Sequence, residues 1–337
     1  MRGIDGRTAS LVGRLRAAGR GRLLWCAGGS VAGVGAVATA LVLTLNAFAA
    51  TPVGTQIPVG EYPNYLAVAG GSLYVDFGGA QTVTPISSAT GKSGKPVLVG
   101  VGPSGMVVAG GTLYVASYND NTVTPISITT GRPGAPIPAG RCPKALAVAG
   151  GTLYAADSRD CAGPVGGDGT VTPISIGTGK PGTPIAVGKV PVALAVADGI
   201  LYAADRGGNT VTPISIATGK PGTPIAVGEE PVALAVADGI LYTANCGSNT
   251  VTPISIATGK PDTPIAVGKE PLALAVADGI LYAANYGSNT VTPITIATGH
   301  SGTPIPVGSG PSALAVAGRT LYVANHDGGT VTAFKIG

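Results

Sequence analysis

The chain is short of most residues that carry chemistry. Of 337 residues only 11% are charged and 4% aromatic, with two histidines, four cysteines and a single tryptophan. The histidines, His300 and His326, stand alone, without the spaced partners that a zinc site or a histidine general base requires. No Gly-x-Ser-x-Gly elbow occurs. Gly91-Lys92-Ser93 ends like a phosphate loop, but Ile86 stands where the first glycine would be, so it reads as a turn. A basic stripe for nucleic acid is also missing. Six arginines lie in the first 22 residues, and beyond them fourteen basic residues face fifteen acidic ones. The composition therefore implies no cofactor, no metal and no nucleic-acid partner.

What is present begins with a leader. A basic segment ends at Arg22, an uncharged apolar run covers residues 23–45, and Ala47-Phe48-Ala49 follows. The small residues suit a signal-peptidase cut before Ala50. The same run is long enough to cross a bilayer as an uncleaved anchor helix, with its arginines on the cytoplasmic side. Residues 1–49 are thus expected to be a signal peptide or membrane anchor. Either reading places residues 50–337 outside the membrane, secreted or at the cell surface.

That remainder is built from seven copies of one unit. A Val-Thr pair marks each, at Val83, Val123, Val171, Val211, Val251, Val291 and Val331, in steps of 40, 48, 40, 40, 40 and 40 residues. The abundant glycine and proline fall at fixed places in the unit, which is turn chemistry. Each copy holds four short apolar runs separated by an Asp-Gly-type turn, a Gly-containing loop and a Thr-Gly turn, the signals of successive hairpins. Four antiparallel strands per unit, repeated radially, predict an all-β seven-bladed propeller of four-stranded antiparallel blades. The last copy lacks its fourth strand. Thr55-Gln56-Ile57-Pro58 matches it, so an N-terminal strand is expected to complete the last blade and close the ring. Proline recurs in six third strands (Pro85, Pro125, Pro173, Pro213, Pro253, Pro293), which predicts a bulge or a non-bonded position there.

Leu321-Tyr322-Val323-Ala324-Asn325 and Leu113-Tyr114-Val115-Ala116, each followed by Thr-Val-Thr, resemble the YVTN-family repeat, also called YncE-like or surface-layer-type. The resemblance spans residues 55–337. It implies an exported or cell-surface propeller of the binding or structural kind. Look-alike propellers include lactonases and streptogramin lyases, so fold alone does not fix function.

Comparing the copies reveals two faces. The Asp-Gly and Thr-Gly turns repeat almost verbatim at one end, the turn face. The loop after strand two and the crossover into the next blade vary, and they share the other end, the mouth. A binding scaffold acting through this varied face is the expected function, with a protein, peptide or glycan of the envelope or extracellular space as partner and the chain a monomer. Tyr62, Tyr65, Phe77 and Tyr118 are candidate aromatic contacts. Asp157, Asp205, Arg206, Tyr286 and His326 are further candidates. The alternative is a lyase or lactonase assembled at the mouth from His326, Arg206, Asp205 and Asp157. Cys142 just before the first strand of blade three and Cys161 inside the insertion of its second loop share one end of that blade and are expected to pair as a disulfide. Cys246 has no evident partner. Asp157, Asp160 and Asp168 could offer oxygens to calcium but match no EF-hand spacing, and a solvated acidic loop is the simpler reading.

Overall fold

The computed structural model describes residues 54–77, 79–159 and 168–336. The leader and most of the blade-three insertion, Asp160 and Cys161 included, lie outside the described residues.

Seven antiparallel sheets are arranged radially. In blade six the strands are Pro271–Ala277, Ile280–Asn285, Thr290–Thr295 and Ile305–Pro306. The inner strands, Pro63–Ala69, Pro103–Ala109, Pro143–Ala149, Pro191–Ala197, Pro231–Ala237, Pro271–Ala277 and Pro311–Ala317, each contact the next, and the last contacts the first. Helix is confined, among the described residues, to one 3-10 turn at Tyr286–Ser288. At the N-terminal end, Thr55–Pro58 runs antiparallel to Thr330–Lys335, with Thr55 opposite Ala333 and Pro58 opposite Thr330.

The core lies between blades. Each repeat tyrosine packs with the valine of its own third strand against the leucines and isoleucine of the next blade, as Tyr114 and Val123 do against Leu146, Leu153 and Ile174. Strand alternation puts these side chains on opposite faces of a blade, so every sheet is apolar on both sides.

The third-strand prolines disturb no ladder. Tyr74 sits opposite Pro85 in unbroken register from Ser72 to Asp76. The Pro85 carbonyl accepts the N–H of Gly94 at 2.7 Å, so that edge faces outward. The proline nitrogen faces the same way, where the outer strand pairs only at Thr82 and Val83, and no donor is missed. The bulge lies instead in the inner strand. Register shifts between Pro143 and Ala145, and equivalently in blades four to seven. In blades one and two the break is wider, from Pro63 to Leu66 and from Pro103 to Met106. Such bulges re-aim side chains, here at the mouth.

The crossovers are strained alike. Their second residue has positive φ in every blade, including Tyr62, Cys142, Glu230, Glu270 and the β-branched Val190 at 55°. Loop asparagines of the preceding blade hold this geometry. Asn209 Oδ1 accepts the N–H of Glu230 at 2.9 Å, and Asn249 that of Glu270 at 2.7 Å. The varied crossover thus has a constant backbone, and the variation is in side chains.

Candidate functional site

The mouth is asymmetric. The bulged inner-strand position is Val192, Val232 and Leu272 in blades four to six. With Val190 and Cys246 these form an apolar cluster, against which Tyr286 packs. The same position is Asn64, Ser104 and Lys144 in blades one to three, and there a cavity of about 320 Å³ opens. Tyr65, Tyr118 and Asn119 complete its wall.

Several substitutions within the repeat build this cavity. Tyr65 replaces the alanine of other inner strands and is 5% exposed. Gly105 stands at the same position in blade two, where any Cβ would come within 2.8 Å of the Ala145 backbone. Met106 replaces leucine, and its flexible side chain packs in the cluster that holds Tyr65. Behind Tyr65, Asp76 takes a position that is alanine in other copies. It is fully buried and accepts the Tyr65 backbone N–H. Burial drives the Asp76 carboxyl well above the usual carboxylate range, against the hydrogen bond from Tyr65. Burial pushes the Tyr65 phenol upward, with Asp76 and Tyr118 adding to it. In front, the Lys144 ammonium lies 3.7 Å from the centroid of the Tyr118 ring. Ser104 ties the wall together by donating to the Pro143 carbonyl at 2.6 Å, from blade two to blade three.

A second cluster spans blades six, seven and one. Nδ1 of His326 lies 2.8 Å from Asp327 Oδ1, and the Tyr286 hydroxyl donates to the same oxygen at 3.0 Å. The His326 ring is 5.1 Å from that of Tyr62 and 6.2 Å from that of Tyr286. Tyr62 is 52% exposed. Burial, and then Asp327, raise the Tyr286 phenol to about 12. Tyr62, Phe77 and Glu61 line a smaller depression of about 250 Å³ that shares Gly79 with the first cavity.

The four candidate aromatics therefore do not form one platform. Tyr65 and Tyr118 face the cavity, whereas Tyr62 turns to His326 and Phe77 packs beside Gly60. Asp157 and Asp205 do not open onto the mouth. Each is fully buried at the end of its second strand and accepts hydrogen bonds from two threonines of the third, Thr170 and Thr172 or Thr210 and Thr212. Burial raises them to about 6 and about 7 respectively, with those hydroxyls opposing the shift. Arg206 pairs with Glu230 at 3.7 Å. Among the described residues no hydrogen bond or ion pair links His326, Arg206, Asp205 and Asp157. Cys142 is fully buried, and the expected Cys142–Cys161 pair falls on a residue outside the described ones. Cys246 belongs to the apolar cluster, and neither it nor Cys142 is a free thiol.

No family model and no curated protein matches the chain. Solved structures do. The chain resembles Kuenenia stuttgartiensis hydrazine synthase, with a TM-score of 0.69 and 19% identity over 87% of this chain and 99% of that one. It resembles the WD40 β-propeller domain of Doa1, at 0.67 and 11% identity over 84% and 96%. It also resembles the computationally designed Ika8 protein, at 0.62 and 17% identity over 84% and 100%. The chain is a seven-bladed β-propeller. At these identities the likeness extends to fold alone, and the YVTN resemblance rests on the motif.

Sequence reasoning missed Asn64, Ser104, Lys144 and Asn119. The signal was present: Lys144 is the only charged residue among the seven bulged inner-strand positions. It becomes legible only once that position is known to reach the mouth.

Proposed function

We propose that this chain is an exported, cell-surface propeller of the YVTN type that binds an envelope or extracellular ligand in the cavity of blades one to three. The coincidence of three departures from the repeat carries this reading. The widest inner-strand breaks, the Tyr65, Gly105 and Asp76 substitutions, and the lone inner-strand cation meet at one cavity. A cation, two phenols and two amides form a recognition set for a peptide or glycan bearing an acidic group. The test is an array of peptides and acidic glycans probed with the parent, Tyr118→Ala and Lys144→Ala. Each variant should lose on the order of tenfold or more in affinity for the parent's ligand. Unchanged binding by both would remove the proposal.

Two structural readings accompany it. Thr55–Pro58, as the outer strand of blade seven, serves as the closing strand of the ring. Ile57, which packs with Ala333 and Val331, should then matter: Ile57→Asp should lower the melting temperature by several degrees, measured calorimetrically. The Cys142–Cys161 disulfide pins the blade-three insertion. Its support is the burial of Cys142 and the lack of a free thiol there. Mass spectrometry after alkylation without reductant should find both residues unmodified.

A further inference from the structure

The turn face carries a ring of charge that the mouth does not explain. Lys92, Arg132, Lys180, Lys220 and Lys260 occupy one turn position in five consecutive blades, His300 holds it in the sixth, and all are exposed. None of the five joins an ion pair among the described residues. Arg319 and Lys335 add to this face in blade seven, against four acids, Asp198, Asp238, Asp262 and Asp278. The mouth mixes signs, with Glu61, Asp120, Asp168, Glu229, Glu270 and Asp327 exposed beside Arg141, Arg159, Lys189 and Lys269. The excess of positive charge is therefore gathered on the turn face.

The direction of the chain supplies a second observation. Thr330–Lys335 runs from the mouth toward the turn face, since Lys335 donates to Thr320 at the turn end of the neighbouring strand. Thr55–Pro58 is antiparallel to it, so the chain enters this strand from the turn face. Gly54, just before, lies against Ala333 and Phe334. Only eight residues separate Leu45, the end of the apolar leader, from Gly54, a span of about 30 Å when extended.

We infer that the turn face docks on an anionic phospholipid surface, with the leader as tether and the mouth directed away from the bilayer. Five lysine and arginine head groups in one ring present distributed charge to a plane of phosphates rather than to a small ligand. The short tether entering from the same face keeps that ring near the membrane. The mouth, where acids and bases interleave, presents no comparable basic ring for the inverted orientation.

Amine footprinting of the full chain, leader included, tests this. The protein is reconstituted in phosphatidylcholine vesicles with and without phosphatidylglycerol, and acylation of each lysine is read by mass spectrometry. With phosphatidylglycerol, Lys92, Lys180, Lys220 and Lys260 should react about fivefold more slowly, while Lys189 and Lys269 at the mouth are unchanged. High salt should reverse the protection. In Lys180→Glu/Lys220→Glu/Lys260→Glu, protection of Lys92 should vanish. Equal reactivity of both lysine sets, protection of the mouth set instead, or the same protection without phosphatidylglycerol would each overturn the inference. Ligand capture by the mouth plays no part in this readout.

Discussion

Asp205→Asn is expected to stabilise the protein at pH 8 by about 2 to 4 kcal/mol, with the advantage more than halved at pH 5 and gone below about pH 4. Burial raises the Asp205 carboxyl from 3.8 to about 7, so the folded state holds its proton more tightly than the unfolded chain. The associated stability is fully present below about pH 4 and is lost as pH rises through the folded value. At about 1.4 kcal/mol per pH unit, a shift of this size approaches 4 kcal/mol at alkaline pH, an upper figure for a site that can relax. The substitution is one the molecule already contains. Asn285, at the same position in blade six, donates through Nδ2 to Thr290 and Thr292 at 3.1 and 2.8 Å, and Asn245 and Asn325 do likewise. The asparagine version keeps the link to the third strand without a charge to desolvate. Chemical denaturation of parent and variant between pH 5 and 8 isolates the effect in the difference curve. A flat difference would show that Asp205 does not titrate in this range.

Gly268→Ala is expected to destabilise by about 3 kcal/mol, through a clash followed by loss of a buried hydrogen-bond pair. A Cβ at Gly268 would lie 2.7 Å from Cγ and Nδ2 of Asn285. Asn285 is fully buried and held by its two threonines, so it has no space to swing into. The same closeness recurs where Gly188 meets Asp205 and Gly308 meets Asn325. The Val-Gly that ends these fourth strands is thus demanded by a side chain seventeen residues later. Gly177→Ala is the control, because a Cβ there meets nothing within 4 Å and the backbone has no positive φ. It should be neutral or slightly stabilising. If Gly268→Ala unfolds at the same denaturant concentration as Gly177→Ala, the close approach does not limit stability. A Gly268→Ala/Asn285→Ala double variant should be less unstable than the sum of its parts, since truncating Asn285 removes the atoms that the new Cβ meets.

The candidate site was legible in part. Tyr118 and Tyr65, two of the aromatics expected on the varied face, line the cavity of blades one to three, which the sequence did not suggest. Asp157 and Asp205 seemed to ring the channel because they end strands at the mouth. A strand-terminal position does not tell whether a side chain turns to solvent or back onto its own blade. Here the Thr-x-Thr of the third strand draws it back. Asp76 was hidden for a related reason: only its register shows that it stands where other copies bury alanine.

The sequence alone determined the number of blades, the four strands in each, the turns that join them and the division into a constant and a varied end. These follow from local chemistry repeated at a fixed period, and the repetition makes each reading sevenfold. The tertiary structure decided which varied residues meet. Tyr62 and His326 are 264 positions apart in the chain, yet they touch because the ring brings blade seven against blade one. The antiparallel pairing of Thr55–Pro58 with Thr330–Lys335 likewise starts the N-terminal strand at the turn face, beside the basic ring. Periodicity describes one blade and its neighbour, whereas the cavity, the aromatic cluster and the basic ring of the turn face are properties of the circle.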